Sequence, residues 1–235
     1  TDIESVMTEL DFGDTLRIKE SSCCDSFTCN IKGLNRDNLV LKALSILRNS
    51  YRVPPMEIEL EKRLPIASGM GGGSSDAASF IMAAKKLFDL PMTRADIFDI
   101  CRQIGMDVSF FIDGGIQVAS ERGDVLSKIQ GVKRDVLVVF DVPSYSKNVY
   151  QLMRPEDFNS DSYNDLLAPV LRDNQDLKNF YEYILQFGNF KMTGAGGAFY
   201  LIDKIDRLRD ITKKIEASYK KIGSLLVPTG DAYDY

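Results

Sequence analysis

The residues best suited to chemistry form a glycine-rich segment, GMGGGSSDAA, at positions 69–78. Gly69 and Gly71–Gly73 lack a Cβ, so the backbone there can approach a ligand closely. The Ala-rich sequence that follows predicts a helix. A helix N-terminus offers free N–H groups and the positive end of the helix dipole. This combination is typical of a phosphate-binding site.

Two hydroxyl groups, on Ser74 and Ser75, stand at the predicted start of that helix. One of them could cap the helix, and the other could reach a Mg²⁺ ion or a phosphate oxygen. The segment lacks the lysine of a Walker P-loop and the glycine spacing of a Rossmann loop. A flexible linker before a capped helix is the alternative, but the segment leads straight into a strong helix former, which disfavours a linker.

A single carboxylate, Asp107, lies in the segment GMDVSFF between a predicted helix and an apolar run. Partial burial would raise its pKa and a nearby cation would lower it. From the residues alone, Asp107 is either a turn residue or a catalytic group. The chain contains no histidine, so acid–base chemistry must come from Asp, Glu, Lys, Tyr or Cys.

Three further features suit binding, and each also has a structural explanation. The segment TGAGG at 193–197 lies between two predicted strands, as many tight turns do. Tyr150 follows a predicted buried strand and could stack on a base or pack in a core. Asn38 precedes a predicted helix, where an N-cap residue is expected.

The pattern of apolar residues predicts an α+β fold that positions these groups. Helices are predicted over 38–49, 75–90, 94–104, 177–187 and 205–219, and strands over 14–19, 27–32, 56–60, 108–112, 116–119, 136–140, 190–192, 198–202 and 225–227. Helices and strands do not alternate regularly, so neither a Rossmann sheet nor a TIM barrel is predicted. The 235 residues suit one large domain or two small ones. The polar stretch at 128–135 is the weakest internal boundary.

The composition disfavours proteins that bind nucleic acids or membrane surfaces and proteins that span a membrane. The net charge of −5 and the pI of about 5.0 disfavour nucleic acid and membrane surfaces as partners, because proteins that bind them usually present a basic field. No apolar run approaches the roughly 18 residues of a membrane span. Acidic residues occupy the place of a signal peptide's apolar core. The four cysteines fit reduced thiols, so we expect a cytosolic protein.

Five segments together resemble the GHMP small-molecule kinases. The glycine segment is similar to their phosphate loop, P-x-x-x-G-L-G-S-S-A-A, and its extra glycines resemble one branch whose substrate is a methylerythritol linked to cytidine diphosphate. The other four segments match in the same order and extend over nearly the whole chain. They are DFGD at 11–14, GMDVSFF at 105–111, NDL at 164–166 and MTGAGG at 192–197.

The resemblance implies a two-lobed α+β kinase with mixed and antiparallel sheets packed against helices and an active site in the cleft between lobes. Residues 1–130 would form the ATP-binding lobe and 131–235 the C-terminal lobe. The implied cofactors are ATP and Mg²⁺, and the implied partner is a small-molecule alcohol, cytidine diphospho-methylerythritol, bound by a monomer or homodimer. The implied location is the bacterial cytosol or a plastid.

The resemblance also implies roles for individual residues. Asp107 would be the catalytic base. The implied ATP-binding residues are Gly69, Met70, Gly71, Gly72, Gly73, Ser74, Ser75 and Asn38, with Ser75 also on the metal. The implied substrate-binding residues are Tyr150, Ser146, Gly194, Gly196 and Thr1.

Two family segments have no counterpart in the sequence: an opening strand with a lysine (A-K-I-N-L) and an R-x-D-G-Y-H segment, whose histidine aligns with Thr1. We therefore expect that the sequence begins inside the family's N-terminal region. Two alternatives stay open at this point. One is another GHMP kinase of the homoserine, mevalonate or isopentenyl phosphate type, which the triple glycine disfavours. The other is a non-catalytic member of the superfamily that only binds a ligand.

Overall fold

A computed structural model describes residues 4–144, 146–158, 163–218 and 223–228. The chain divides into two compact units. Of the described residues, the first unit holds 4–64 and 71–132, and the second holds 65–70 and those from 133 onward. The segment 65–70 therefore belongs to the second unit, although its neighbours in sequence belong to the first.

Within its described residues, the first unit contains two three-stranded sheets and four α-helices. Its elements are β1 (Ser5–Thr8), β2 (Thr15–Glu20), β3 (Ser26–Cys29), α1 (Leu39–Ser50), β4 (Met56–Glu61), α2 (Gly72–Leu87), α3 (Arg94–Ile104), α4 (Phe110–Asp113), β5 (Ile116–Ser120) and β6 (Val125–Lys128). One sheet has the order β1-β5-β6 and is antiparallel. The other has the order β2-β4-β3, in which β4 pairs antiparallel with β2 and parallel with β3.

The core of the first unit lies between the mixed sheet and the helices. Strand β4 alternates strictly, so Met56, Ile58 and Leu60 are buried while the residues between them are exposed. Helix α1 contacts both α2 and α3. A capping box at Thr93 fixes the start of α3, because Thr93 and Asp96 exchange side-chain and backbone hydrogen bonds.

In the described part of the second unit, a four-stranded antiparallel sheet has the order β10-β7-β9-β8. Its elements are β7 (Asp135–Phe140), α5 (Ser146–Gln151), α6 (Leu167–Asp173), α7 (Gln175–Ile184), β8 (Lys191–Met192), β9 (Ala198–Ile202), α8 (Ile205–Ser218) and β10 (Gly223–Pro228). Leu137 and Phe199 of the sheet share one buried cluster with Phe180 of α7 and Ile215 of α8. Each unit combines α-helices with β-strands, which confirms the predicted α+β class.

The strand predicted over 108–112 is wrong. The segment forms a 3₁₀ turn, Met106–Val108, followed by the short helix α4. A brief apolar run without alternation does not distinguish a strand from a buried helix. The helical form is completed by Gln117, whose buried side-chain amide donates to the carbonyls of Phe110 (3.1 Å) and Gly114 (2.9 Å).

Other predicted elements differ in their bounds or were missed. The helix predicted over 75–90 begins earlier, at Gly72. The strand predicted over 27–32 ends at Cys29, and a 3₁₀ turn follows. The sequence pattern did not reveal β1, β6, α5 or α6. Within the described residues, no helix is both long enough and apolar enough to cross a membrane.

The hydroxyl group of Ser109 yields a stability prediction. It is fully buried and has no hydrogen-bond partner among the described residues. A buried, unsatisfied hydroxyl destabilises the folded state. We expect Ser109→Ala to raise the free energy of unfolding by about 1 kcal/mol in a denaturant titration. Thr212→Val is the control, because the Thr212 hydroxyl donates to the carbonyl of Leu208 at 2.8 Å. The control should lose stability, and a loss in Ser109→Ala would contradict the prediction.

Candidate active site

The glycine-rich segment leads into the first turn of α2, which is partly exposed. Gly71 is the N-cap residue, with φ of 68°, and no side chain caps the helix among the described residues. Ser74 and Ser75 lie within the first turn, so the expectation that one of them caps the helix is wrong. The first N–H groups of a helix have no intrahelical acceptor. They are therefore free to bind an anion, and the helix dipole favours one.

The entrance to this segment is held within the second unit by the turn at 193–197. The hydroxyl of Thr193 donates to the carbonyl of Ser68 at 2.6 Å. The same carbonyl accepts the N–H of Ala198 at 3.1 Å, and the carbonyl of Ala67 accepts the N–H of Ser144 at 2.8 Å. These bonds connect the two glycine-rich turns of the sequence to each other.

Glycine is required where the two turns meet because the backbones are in direct contact. A Cβ on Gly69 would lie 2.3 Å from the carbonyl oxygen of Thr193, and one on Gly197 would lie 2.1 Å from that of Ala67. Gly69 and Gly197 also have φ of 74° and 96°, in the region that side-chain-bearing residues rarely adopt. Gly194 lies on the same contact, since its Cβ would be 2.9 Å from the carbonyl oxygen of Gly69.

Two polar side chains that the sequence did not single out fix this second turn. The amide nitrogen of Asn164 donates to the carbonyls of Gly194 (2.8 Å) and Met192 (3.4 Å). The hydroxyl of Ser144 donates to the carbonyl of Ala195 at 3.0 Å. Asn164 was noticed only as part of the NDL match, and its side-chain contacts give that match a physical reason.

A buried charged cluster, formed by Lys62, Asp14 and Asp76, lies in the first unit. The Lys62 ammonium donates to a carboxylate oxygen of Asp14 and, at 2.7 Å, to Asp76. The three side chains are only 5%, 3% and 7% exposed. Burial raises the pKa of Asp76, and Lys62 opposes this rise. Burial alone would lower the pKa of Lys62, but the two carboxylates outweigh it and raise that pKa.

The sequence did not identify this cluster, although it contained a signal. The alternation of β4 that buries Met56, Ile58 and Leu60 continues to Lys62, which predicts an inward-facing charge. Asp76 lies one turn before the buried Phe80 on α2, so it shares the apolar face. A charge on a buried face needs a partner of opposite charge.

Asp107 lies in the 3₁₀ turn Met106–Val108, which packs against α2. The residue keeps access to solvent. Protein atoms around the carboxylate nevertheless remove part of its hydration, and this desolvation raises its pKa. No ion pair or hydrogen bond to Asp107 exists within the described part of the chain. Its proton-accepting oxygens are therefore free for a ligand.

The remaining predicted residues are placed differently. Asn38 caps α1, since its side chain accepts from Leu41 N (3.0 Å) and donates to Leu34 O (2.7 Å). Tyr150 lies on α5 and is 49% exposed. Ser146 begins α5, but its side chain falls outside the described part of the structure, as does all of Thr1.

Comparison with known proteins identifies relatives over most of the chain. The model for the GHMP kinases N terminal domain matches residues 38–115. A 4-diphosphocytidyl-2-C-methyl-D-erythritol kinase of Chlamydia felis is 31% identical, over 93% of this chain and 82% of the relative. The chain belongs to the 4-diphosphocytidyl-2-C-methyl-D-erythritol kinase family.

Solved structures confirm the fold expected of a 4-diphosphocytidyl-2-C-methyl-D-erythritol kinase. A crystal structure of a 4-(cytidine 5'-diphospho)-2C-methyl-D-erythritol kinase superposes with a TM-score of 0.81 at 24% identity, covering 97% of this chain and 90% of that one. A mevalonate kinase gives 0.68 at 15% identity, covering 97% and 93%. These structures show the GHMP fold, and the similarity to the Chlamydia felis kinase shows that the chain is a small-molecule kinase.

The contact between the two glycine turns generates a second prediction. Gly69→Ala introduces a methyl group against the carbonyl of Thr193 and forces alanine to a positive φ. We expect the melting temperature to fall and ATP binding to weaken, as measured by calorimetry. Gly33→Ala is the matched control, because a Cβ there meets nothing within 4 Å. Equal melting temperatures for the two variants would show that the turns are not in tight contact.

Proposed function

We propose that this chain transfers the γ-phosphoryl group of ATP to the 2-hydroxyl of 4-diphosphocytidyl-2-C-methyl-D-erythritol, releasing ADP. The observation that carries the proposal is the similarity to kinases of that name along most of the chain. The open first turn of α2, preceded by a glycine loop, supports it independently, because such a turn suits a phosphate group.

The phosphates of ATP are assigned to the loop from Gly69 through Met70 to the first turn of α2. The N–H groups of Gly72, Gly73 and Ser74 supply donors, and the helix dipole adds a favourable field. Asn38 is assigned to the adenine side. Its helix is next to the loop, since a Cβ on Gly73 would lie 3.6 Å from Leu39. We also assign 1–130 as the ATP-binding lobe and 131–235 as the C-terminal lobe.

Asp107 is assigned as the general base. Its carboxylate accepts the proton of the substrate's hydroxyl group while that oxygen forms a bond to the γ-phosphorus. The bond from the γ-phosphorus to the bridging oxygen of ADP breaks, and ADP leaves with the electron pair. A raised pKa makes Asp107 a better proton acceptor than an ordinary aspartate. Positioning and charge stabilisation provide most of the rate in such transfers.

A Mg²⁺ ion is assigned to the hydroxyl of Ser75 and to phosphate oxygens. Among the described residues, no group of three or more His, Cys, Asp or Glu side chains is arranged to hold a metal. Mg²⁺ in kinases keeps several waters and binds substrate phosphates, so a single hydroxyl in the first turn of α2 fits such a site. When bound, the ion neutralises charge on the phosphates.

The alcohol substrate is assigned to residues of the second unit and to Thr1. Tyr150 presents an exposed ring that would stack on the cytosine base. Ser146, Gly194 and Gly196 would contact the rest of the substrate. Stacking provides base recognition without a basic protein surface, in accord with the acidic composition.

An ADP-release assay with a panel of alcohols tests the proposed function. The panel contains 4-diphosphocytidyl-2-C-methyl-D-erythritol, mevalonate, homoserine and isopentenyl phosphate. We expect kcat/KM to be highest for the first compound. A preference for another alcohol would identify a different GHMP kinase activity, and ATP binding without ADP release for any of them would indicate a ligand-binding protein.

The role of Asp107 predicts a specific kinetic defect. Asp107→Asn keeps the shape of the side chain and removes its proton affinity. The turnover number should fall by about 10²–10⁴-fold, while calorimetry should give an unchanged affinity for ATP. In the wild-type enzyme, kcat/KM should fall as the pH decreases through the raised pKa of Asp107, because the protonated carboxyl group cannot accept a proton.

Asp99→Asn is the matched control, since Asp99 is an exposed residue of α3 paired with Arg102. The control should retain full turnover. If Asp107→Asn keeps more than about a tenth of the wild-type turnover, its loss is below the range of base catalysis, and the assignment is wrong.

Stacking on Tyr150 predicts a loss confined to one ligand. Tyr150→Ala should weaken binding of the cytidine substrate by about 1–3 kcal/mol, with little change for ATP. Phe158→Ala is the control, because Phe158 is another exposed aromatic residue of the second unit, 55% accessible. Parallel losses for both ligands in the Tyr150 variant would indicate a packing role instead.

A further inference from the structure

The buried cluster of Lys62, Asp14 and Asp76 holds both ends of the glycine loop. Before the loop, the second carboxylate oxygen of Asp14 accepts the backbone N–H groups of Arg63 (2.5 Å) and Leu64 (2.8 Å). After the loop, Lys62 binds Asp76 in α2 at 2.7 Å. Since Asp14 also binds Lys62, one connected set of bonds fixes where the chain leaves β4 and where it enters α2.

The cluster also lies directly against the start of α2. A Cβ on Gly72 would be 3.3 Å from the Lys62 ammonium, 3.4 Å from Asp14 and 3.2 Å from the Leu64 side chain. Gly72 is the first residue of α2, and its N–H is one of the donors assigned to phosphate. A shift of Lys62 or Asp14 therefore changes the packing beneath the donor groups themselves.

Stability alone does not explain why three charges are buried here. Removing an ion from water costs several kcal/mol, and replacing a buried ion pair with apolar residues of similar volume is often neutral or stabilising. An apolar cluster at these positions would hold β4 and α2 together equally well. It would not provide the acceptors that Arg63 and Leu64 use, and it would not fix the direction in which the chain leaves β4.

We propose that Lys62, Asp14 and Asp76 are positioning residues for phosphate binding, because they fix both ends of the loop that holds ATP. This inference rests on the proposed function. The cluster acts through the backbone: it sets the path of the loop and thereby the direction of the N–H groups of α2. An active-site displacement of about 1 Å can cost about 100-fold in rate.

A direct electrostatic role for Lys62 predicts an effect of opposite sign. If Lys62 acted only by attracting phosphate through its charge, removal of the neighbouring Asp76 carboxylate would leave more uncompensated positive charge and tighten ATP binding. If the cluster positions the loop, the same change releases the start of α2 and weakens ATP binding.

The test compares Asp76→Ala and Asp14→Asn with the wild-type enzyme. Asp76→Ala leaves the Lys62–Asp14 pair intact and places a good helix former in α2, so it should fold. Asp14 uses both of its carboxylate oxygens as acceptors, whereas the side chain in Asp14→Asn has only one acceptor oxygen. Calorimetry gives the Kd for the non-hydrolysable analogue β,γ-imido-ATP, and steady-state kinetics give the KM for ATP and for the alcohol. Both measurements are made well below the melting temperature of each variant. We expect Kd and KM for ATP to rise at least about 10-fold in each variant, with KM for the alcohol unchanged.

Lys19→Met is the matched control, since it removes a lysine on β2 that pairs with Glu57 of β4 at 2.8 Å in an exposed position. It should leave the KM for ATP unchanged. Variants with a lower melting temperature but wild-type Kd for the ATP analogue would overturn the inference, as would tighter binding in Asp76→Ala. If Asp14→Asn does not fold, the result for Asp76→Ala decides. Failure of the wild-type enzyme to bind the analogue would instead reject the proposed function.

Discussion

The part of the candidate site that lies in the first unit depends on the ion pairs of the buried Lys62 ammonium with Asp14 and Asp76. A lysine that is 5% exposed must have its charge compensated within the protein, and the two carboxylates that do so come from distant parts of the sequence. Asp14 precedes β2 and Asp76 belongs to α2. Because one lysine binds both carboxylates, the start of β2, the end of β4 and the start of α2 must lie next to one another. The glycine loop must then connect β4 to α2 from fixed endpoints.

A steric constraint acts on the same loop within the second unit. There, the segment 65–70 contacts the turn at 193–197 through backbone atoms, and a side chain at Gly69 or Gly197 would collide with a carbonyl oxygen. The hydroxyl of Thr193 and the amide of Asn164 satisfy carbonyls around this contact. The loop is thus restrained at both ends by the charged cluster and, between those ends, by direct contact of two backbones. Neither restraint uses the first N–H groups of α2, which remain available for an anion.

The sequence predicted the parts of the fold that depend on local periodicity. Strongly amphipathic helices such as α3 and alternating strands such as β4 were found where expected, because their patterns extend over several turns or residues. The segment after Asp107 was assigned to a strand because its apolar run is too short to show a period. Its helical form depends on Gln117, which satisfies the carbonyls of Phe110 and Gly114.

The features of the site that the sequence did not predict depend on contacts between residues far apart in the chain. Nothing local in Thr193 indicates that its hydroxyl binds the carbonyl of Ser68, 125 residues earlier. The glycine loop and Asp107 were identified from sequence motifs. The structure adds that the Asp107 carboxylate makes no hydrogen bond or ion pair within the described part of the chain and that protein atoms remove part of its hydration. Lys62 was predictable in principle from the alternation of β4, but its two partners were not.

The proposed activity is transfer of the γ-phosphoryl group of ATP to the 2-hydroxyl of 4-diphosphocytidyl-2-C-methyl-D-erythritol. The most direct measurement is phosphorus NMR of a reaction that contains the enzyme, Mg²⁺, ATP and that alcohol. We expect the γ-phosphate signal of ATP to be replaced, mole for mole, by one new phosphomonoester signal, while the diphosphate bridge of the substrate stays intact. The new signal should show no three-bond coupling to a proton, because the carbon that bears the 2-hydroxyl carries no hydrogen. Conversion of ATP to ADP and inorganic phosphate alone, or no change in the ATP signals, would contradict the proposed activity.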